Sequence, residues 1–274
     1  MDEERPEGGP DRIGVPAGFW DRVRSAAHRL LLLDYDGTLA PFRVDRSSAR
    51  PLPGVVDVLR RIRESGAARL VIVSGRPVAE VLALTGLDGV AVIGGHGFEV
   101  RDESGRWTRH ALSPEEAGGL DASEEAARRA GFGDRLERKA ASVALHTRGL
   151  APAEARRMEE TVRALWTGTP AGDRIECRSF DGGIELRVRG RNKGVAVGEL
   201  LESMPAGTLA VYVGDDETDE DAFRALKGRG FGFKVGAADA PTAAEGRLAD
   251  CAAVRAFLER WAETVSPEGG REDR

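Results

Sequence analysis

Short, wholly apolar runs alternate along this chain with stretches whose apolar residues recur at helical spacing. Leu30 to Leu33 is the first such run. Its length and continuity predict a strand buried on both faces. An amphipathic helix over roughly 17–28 precedes it. Pro53 to Glu64 carries Val55, Val58, Leu59 and Ile62 at helical spacing and stops at Ser65-Gly66, a common helix ending. Arg69 to Val73 predicts the next strand, which runs into Ser74-Gly75-Arg76-Pro77. The proline suits the start of a helix over Pro77 to Thr85. Val90 to Ile93 predicts a third strand, closed by Gly94-Gly95-His96-Gly97. Such alternation predicts right-handed βαβ units and a parallel sheet.

The texture then changes. Trp107 to Arg129 is mostly polar, with a helix predicted near Pro114 to Ala130. Ala141 to His146 reads as a strand and Pro152 to Trp166 as a long helix. Ile175 to Cys177 and Gly183 to Val188 read as a hairpin turning through Phe180-Asp181-Gly182-Gly183. The earlier alternation resumes with a helix over Asn192 to Leu201 and a strand over Leu209 to Val213. A helix over about Asp219 to Leu226, a strand over Gly230 to Val235 and a helix over Asp250 to Glu263 close it. The expected fold class is therefore α/β. It has a Rossmann-like, doubly wound parallel-sheet core over 15–107 and 189–265, interrupted by an α+β domain inserted over 108–188. Residues 1–14 and 266–274 are expected to be disordered. Trp107 and Trp166 are expected to pack inside the inserted segment rather than to offer stacking platforms for a ligand.

Composition narrows the class of partner. A net charge of −6 argues against a polyanion such as nucleic acid, though a small phosphorylated substrate needs only a locally basic site. No apolar stretch approaches the ~20 residues of a membrane span, and the first ten residues lack the pattern of a secretory signal. The two cysteines, Cys177 and Cys251, are far apart and are expected to be unpaired thiols in a reducing compartment. A cytoplasmic, monomeric enzyme without nucleic-acid or membrane partners is the resulting expectation.

The chemistry concentrates where predicted strands end. Asp34 and Asp36 follow the first strand, Ser74 the second, and Asp215, Asp216 and Asp219 the strand at 209–213; Lys193 opens the helix just before that strand. In a doubly wound sheet these ends converge at one edge. Carboxylates for a hard cation, a hydroxyl, an ammonium and a nucleophile are what phosphoryl transfer needs. A phosphate monoester dianion repels a carboxylate nucleophile, and Mg²⁺ offsets that repulsion while preferring one or two carboxylates. Lys193 and Ser74 would hold the remaining phosphoryl oxygens. Asp36, two residues beyond Asp34, lies on the same side of an extended chain and can protonate the leaving oxygen. Gly37 permits the tight turn that follows. Plainer roles exist for several of these residues. Ser74 can cap the helix near Pro77, and Asp216 or Asp219 can be helix-start charges. His96 and Glu99 can be structural groups beside a glycine turn, and His146 a paired sheet residue.

Asp34-Tyr35-Asp36-Gly37-Thr38, Ser74-Gly75-Arg76, Lys193-Gly194 and Gly214-Asp215-Asp216-Glu217-Thr218-Asp219 resemble, in order, the four motifs of haloacid-dehalogenase-like phosphatases. The inserted segment resembles the cap of the members that act on sugar phosphates. Within them, Gly95-His96-Gly97-Phe98-Glu99, the stretch Glu137 to Arg148, and Gly214 to Phe223 resemble the trehalose-6-phosphate phosphatases. The resemblance spans about Leu30 to Leu258. Thr147 departs from it where an aromatic residue is expected, and Val188 where proline is expected.

The resemblance implies Asp34 as a nucleophile that becomes an aspartyl-phosphate and Asp36 as acid and base, with Ser74 and Lys193 completing the catalytic set. It implies Mg²⁺ held by the Asp34 carboxylate, the Asp36 carbonyl and Asp215, with Asp219 as a near or water-mediated partner. Glu137, Lys139, Arg148 and Glu185 would contact sugar hydroxyls; Gly75, Arg76, His96 and Asn192 complete the expected substrate-binding set. The implied reaction is Mg²⁺-dependent hydrolysis of trehalose 6-phosphate. The alternatives are another sugar-phosphate phosphatase, acting on sucrose 6-phosphate or mannosyl-3-phosphoglycerate, a phosphomutase, and a non-catalytic sugar-phosphate-binding regulator.

Overall fold

The structure is a computed structural model that describes residues 13–180, 182–237 and 241–266. Strand β1 (Ile13–Gly14) lies inside the stretch expected to be disordered, because it pairs with a strand near the C-terminus. The rest of that expectation, 1–12 and 267–274, falls outside the described residues. Helix α1 (Phe19–Ser25) leads into β2 (Arg29–Leu33), and α2 (Val55–Glu64) into β3 (Arg69–Val73). Helix α3 (Val78–Thr85) leads into β4 (Ala91–Gly94). The antiparallel strands β5 (Glu99–Arg101) and β6 (Trp107–Arg109) follow.

A second, smaller sheet occupies the middle of the chain. Helix α4 (Pro114–Ala127) is opened by a reciprocal cap between Ser113 and Glu116. Strands β7 (Leu136–Arg138) and β8 (Ser142–His146) precede helix α5 (Pro152–Trp166), and β9 (Ile175–Phe180) precedes β10 (Gly183–Val188). These strands form a four-stranded sheet in the order β7-β8-β10-β9. The chain then returns through α6 (Lys193–Glu202), β11 (Leu209–Gly214), α7 (Asp219–Leu226), β12 (Gly230–Val235), β13 (Gly246–Leu248) and α8 (Cys251–Val265).

The large sheet has the order β1-β13-β12-β11-β2-β3-β4-β5-β6, parallel from β13 to β4. Alternation of side chains divides its core into two layers. Leu31 and Leu33 face a cluster with residues of α1, α2, α3 and α8, whereas Leu30 and Leu32 face one with residues of α6 and α7. The continuous apolar runs are thus explained by burial on both sides. Strand order runs one way from β2 through β3 to β4, and the other way from β11 through β12 to β13. The direction reverses between β2 and β11, and open α/β sheets bind ligands at such a point.

Trp107 departs from expectation. It lies on an edge strand of the large sheet, 41% exposed, under the guanidinium of Arg109. Strand β6 continues the large sheet to Arg109, two residues past the boundary that the sequence suggests. Trp166 packs in the small sheet's core, its Nε1 donating to the carbonyl of Ser123 at 3.2 Å. That core also receives Phe98, from the corner between β4 and β5. Thr147 is buried and donates to Glu159 at 2.6 Å, and Val188 is packed in the same apolar core. Among the described residues no helix is long and apolar enough to cross a membrane.

Candidate active site

Asp34 is the first residue beyond β2, and its N–H donates to the carbonyl of Val213 in β11 at 2.9 Å. That bond brings the ends of the two strands together at the reversal point. Asp34, Asp215 and Asp219 offer carboxylate oxygens that all lie within 4.8 Å of one another. Gly37 turns the chain at φ +78, and a Cβ there would collide with the Asp215 carboxylate. The motif's glycine therefore makes room for an acid from another strand.

Lys193 is held at the start of α6 because Asn192 caps that helix, its Oδ1 accepting from the N–H of Val195 at 2.9 Å. Gly194 follows because a Cβ there would strike the backbone of Asp221 in α7. The Lys193 ammonium lies 2.7 Å from Oδ1 of Asp34 and 2.7 Å from Oδ1 of Asp219. Burial opposes its charge, but Asp219 and Asp34 outweigh that and raise its pKa well above the usual value. Burial raises the pKa of Asp34 and of Asp215, and neighbouring carboxylates add to the effect. One ammonium leaves this cluster short of positive charge, which suits a further hard cation.

Asp219 is already committed within the protein. Its Oδ1 accepts from Lys193 and from the hydroxyl of Tyr212 at 2.6 Å. Its Oδ2 accepts from the N–H groups of Asp215 and Asp216 at 2.9 and 3.0 Å. It shapes the acidic loop, so Asp34 and Asp215 are the members of this trio with an oxygen to spare. Asp216 closes a local turn onto Thr218, and both line the cleft. The sequence alone did not single out Thr218.

Ser74 is buried, and its Oγ accepts from the N–H of Arg76 at 3.1 Å, which leaves the hydroxyl proton for a ligand. Arg76 turns its guanidinium onto Asp36: Nε lies 2.6 Å from Oδ2 and Nη2 2.7 Å from Oδ1. Both Asp36 oxygens are thus engaged, and Arg76 holds the acid candidate as well as lining the cleft.

The cleft above these groups has a volume of about 590 Å³, within the usual range for small-molecule sites. Its opposite wall comes from the small sheet and includes Lys139, His146, Arg148 and Glu185. Glu185 is buried; its Oε1 accepts from Lys139 at 2.8 Å and from Ser142 at 2.7 Å, and its Oε2 lies 3.1 Å from Nε2 of His96. Burial opposes its ionisation, yet Lys139 and His96 hold its pKa well below the usual value. His96 takes φ +55, rare for a residue with a Cβ, and its Nδ1 is buried without a partner among the described residues. Gly75 lies beneath its ring, where a Cβ would approach to 2.7 Å.

Other expected groups sit differently. Glu137 does not line the cleft; it lies behind His146, 2.8 Å from Nε2, and accepts from Arg46. Burial, then the positive Arg46 and Lys139, push His146 down to about 4, so its ring is neutral near pH 7. Asn192 is a helix cap away from the cleft. Glu99 holds the first turn of α3 through the N–H of Val78 at 3.0 Å.

The profile of the family described as trehalose-phosphatase matches residues 32–250. The trehalose-phosphate phosphatase of Mycobacterium marinum is 32% identical over 96% of this chain, which spans 66% of that protein's length. The trehalose-6-phosphate phosphatase of Aspergillus fumigatus superposes with a TM-score of 0.65 at 28% identity, covering 93% of this chain and 98% of that one. The C-terminal domain of the C. albicans trehalose-6-phosphate phosphatase shares the fold with a TM-score of 0.76 at 24% identity, covering 93% and 97%.

Proposed function

Because the chain belongs to the trehalose-phosphatase family, we propose that it hydrolyses trehalose 6-phosphate to trehalose and phosphate through an aspartyl-phosphate on Asp34. The observation that carries this reading is the Lys193 ammonium lying between Asp34 and Asp219, beside Asp215 and beneath the cleft. Asp34 and Asp215, the members of that trio not wholly committed to internal bonds, would hold Mg²⁺ with the Asp36 carbonyl. When bound, the cation supplies charge neutralisation between phosphate and nucleophile.

The chain's own residues perform the proton and phosphoryl steps. Lys193 fixes one oxygen of Asp34 and leaves the other to attack phosphorus as the bond to the sugar oxygen breaks. Asp36 gives that oxygen its proton, then takes one from the water that attacks the aspartyl-phosphate, returning Asp34 and releasing phosphate. The Ser74 hydroxyl donates to a phosphoryl oxygen throughout. Residues 108–188 would act as the cap that selects the sugar, with Glu185, Lys139 and Arg148 facing its hydroxyls.

Phosphate release from a panel of sugar phosphates, with Mg²⁺ and with EDTA, tests the reading. A Mg²⁺-dependent preference for trehalose 6-phosphate is expected. Preference for another sugar phosphate would discard the substrate, and no release from any would discard the enzyme.

A further inference from the structure

A chain of ion pairs runs from the small sheet to the acid candidate. Glu137 of β7 accepts from Nη1 of Arg46, in the short turn Arg46–Ser48 that follows the Asp34 loop. Nη2 of Arg46 lies 2.9 Å from Oε2 of Glu80 in α3. The other oxygen of Glu80 accepts from Nη1 of Arg76, whose remaining donors hold both oxygens of Asp36. Arg76 also donates to the carbonyl of Arg46 at 3.0 Å. The side chains of Arg46, Glu80, Glu137 and Asp36 are 25–30% exposed and that of Arg76 4%, so water screens the chain only partly.

We infer that Arg46 is a positioning residue that couples docking of the small sheet to placement of the Asp36 carboxylate. The inference rests on the phosphatase reading for what Asp36 does. The physical reason is competition. Glu80 and Asp36 share one guanidinium, and Arg46 draws one Glu80 oxygen away from it. Glu137 holds Arg46 in place, so the docked small sheet keeps that draw on Glu80 and leaves Nε and Nη2 of Arg76 on Asp36. Without Arg46, Glu80 pulls on Arg76 alone, the donors on Asp36 shift with it, and the acid loses its place at the cleft.

The test compares Arg46→Ala and Arg46→Lys with the wild-type protein on phenyl phosphate and 4-nitrophenyl phosphate. These esters have nearly the same size, but phenolate is the poorer leaving group and needs the acid more. Arg46→Ala is expected to lose roughly tenfold or more on phenyl phosphate and under about threefold on the nitrophenyl ester, with partial recovery in Arg46→Lys. Equal losses on both esters, or no loss, overturn the inference. Amide exchange in β7 gives a readout without turnover: Arg46→Ala should exchange several-fold faster there, and unchanged exchange overturns the coupling. Should the wild-type protein cleave neither ester, β7 exchange decides whether Arg46 ties the small sheet down; if it also releases phosphate from no sugar phosphate, the phosphatase reading falls.

Discussion

The ammonium of Lys193 lies 2.7 Å from Oδ1 of Asp34, with neither residue more than 3% exposed. Replacing Lys193 by Met would leave Asp34, Asp215 and Asp219 facing one another without their cation. The variant should lose turnover by about 10³-fold and stability by about 3 kcal/mol. Phosphate release and urea unfolding measure the two effects. Turnover near wild-type in a folded variant would remove Lys193 from the site.

Asp34→Asn should abolish turnover while keeping or raising stability. Burial and its acidic neighbours raise the folded pKa of Asp34. The folded state therefore binds the extra proton above the unfolded value, and ionisation costs stability as pH rises through the folded pKa. Asparagine lacks that cost, so its advantage in metal-free buffer should grow with pH above about 4. Thermal unfolding across pH checks the sign, and an advantage that shrinks as pH rises contradicts it.

Mg²⁺ should raise the unfolding temperature of the wild-type protein by mass action, and EDTA should reverse the rise. Asp215→Asn should lose that response at little cost to the fold. Asp219→Asn should instead lower the stability of the metal-free protein, by about 1–3 kcal/mol, since its oxygens serve Lys193, Tyr212 and two backbone N–H groups. Thermal scans of both variants with and without Mg²⁺ separate these roles. An Asp219→Asn protein as stable as wild type would return Asp219 to the metal set.

Glu185→Ala should reduce hydrolysis of trehalose 6-phosphate by about 100-fold, but that of 4-nitrophenyl phosphate by under about threefold. Its loss frees Lys139 and His96 from their shared partner, on the wall away from Asp34. Similar losses on both substrates would take Glu185 out of the sugar site.

The strands and helices with a strong period were legible before folding. Val55 to Glu64 and Asp219 to Leu226 carry their apolar faces openly, and Leu30 to Leu33 reads as a doubly covered strand. Strands of two or three residues were not, because Ile13–Gly14, Leu136–Arg138 and Gly246–Leu248 are too short to show a period. Trp107–Arg109 is exposed at every position, so nothing marks it as part of a sheet. Asp34, Asp36, Asp215, Ser74 and Lys193, which the structure brings to one sheet edge, were marked in the sequence as polar groups ending apolar strands or opening a helix beside one. Arg46 and Glu80 were not. They lie 34 positions apart in solvated-looking sequence, and their meaning comes only from the partners that tertiary structure gives them. Arg76 was marked in the sequence as a cleft candidate, but not as the partner of Asp36.

Phe98 fills the core of the small sheet although it belongs to the corner between two strands of the large one. The small sheet is therefore not a self-contained module. Excised at 108–188, it would keep a hole the size of a phenyl ring, and transplanted onto a related enzyme it would need that ring supplied by the host. Swapping specificities among such proteins would have to carry the corner at 94–98 along with the insert, and with it the strained His96 that faces Glu185.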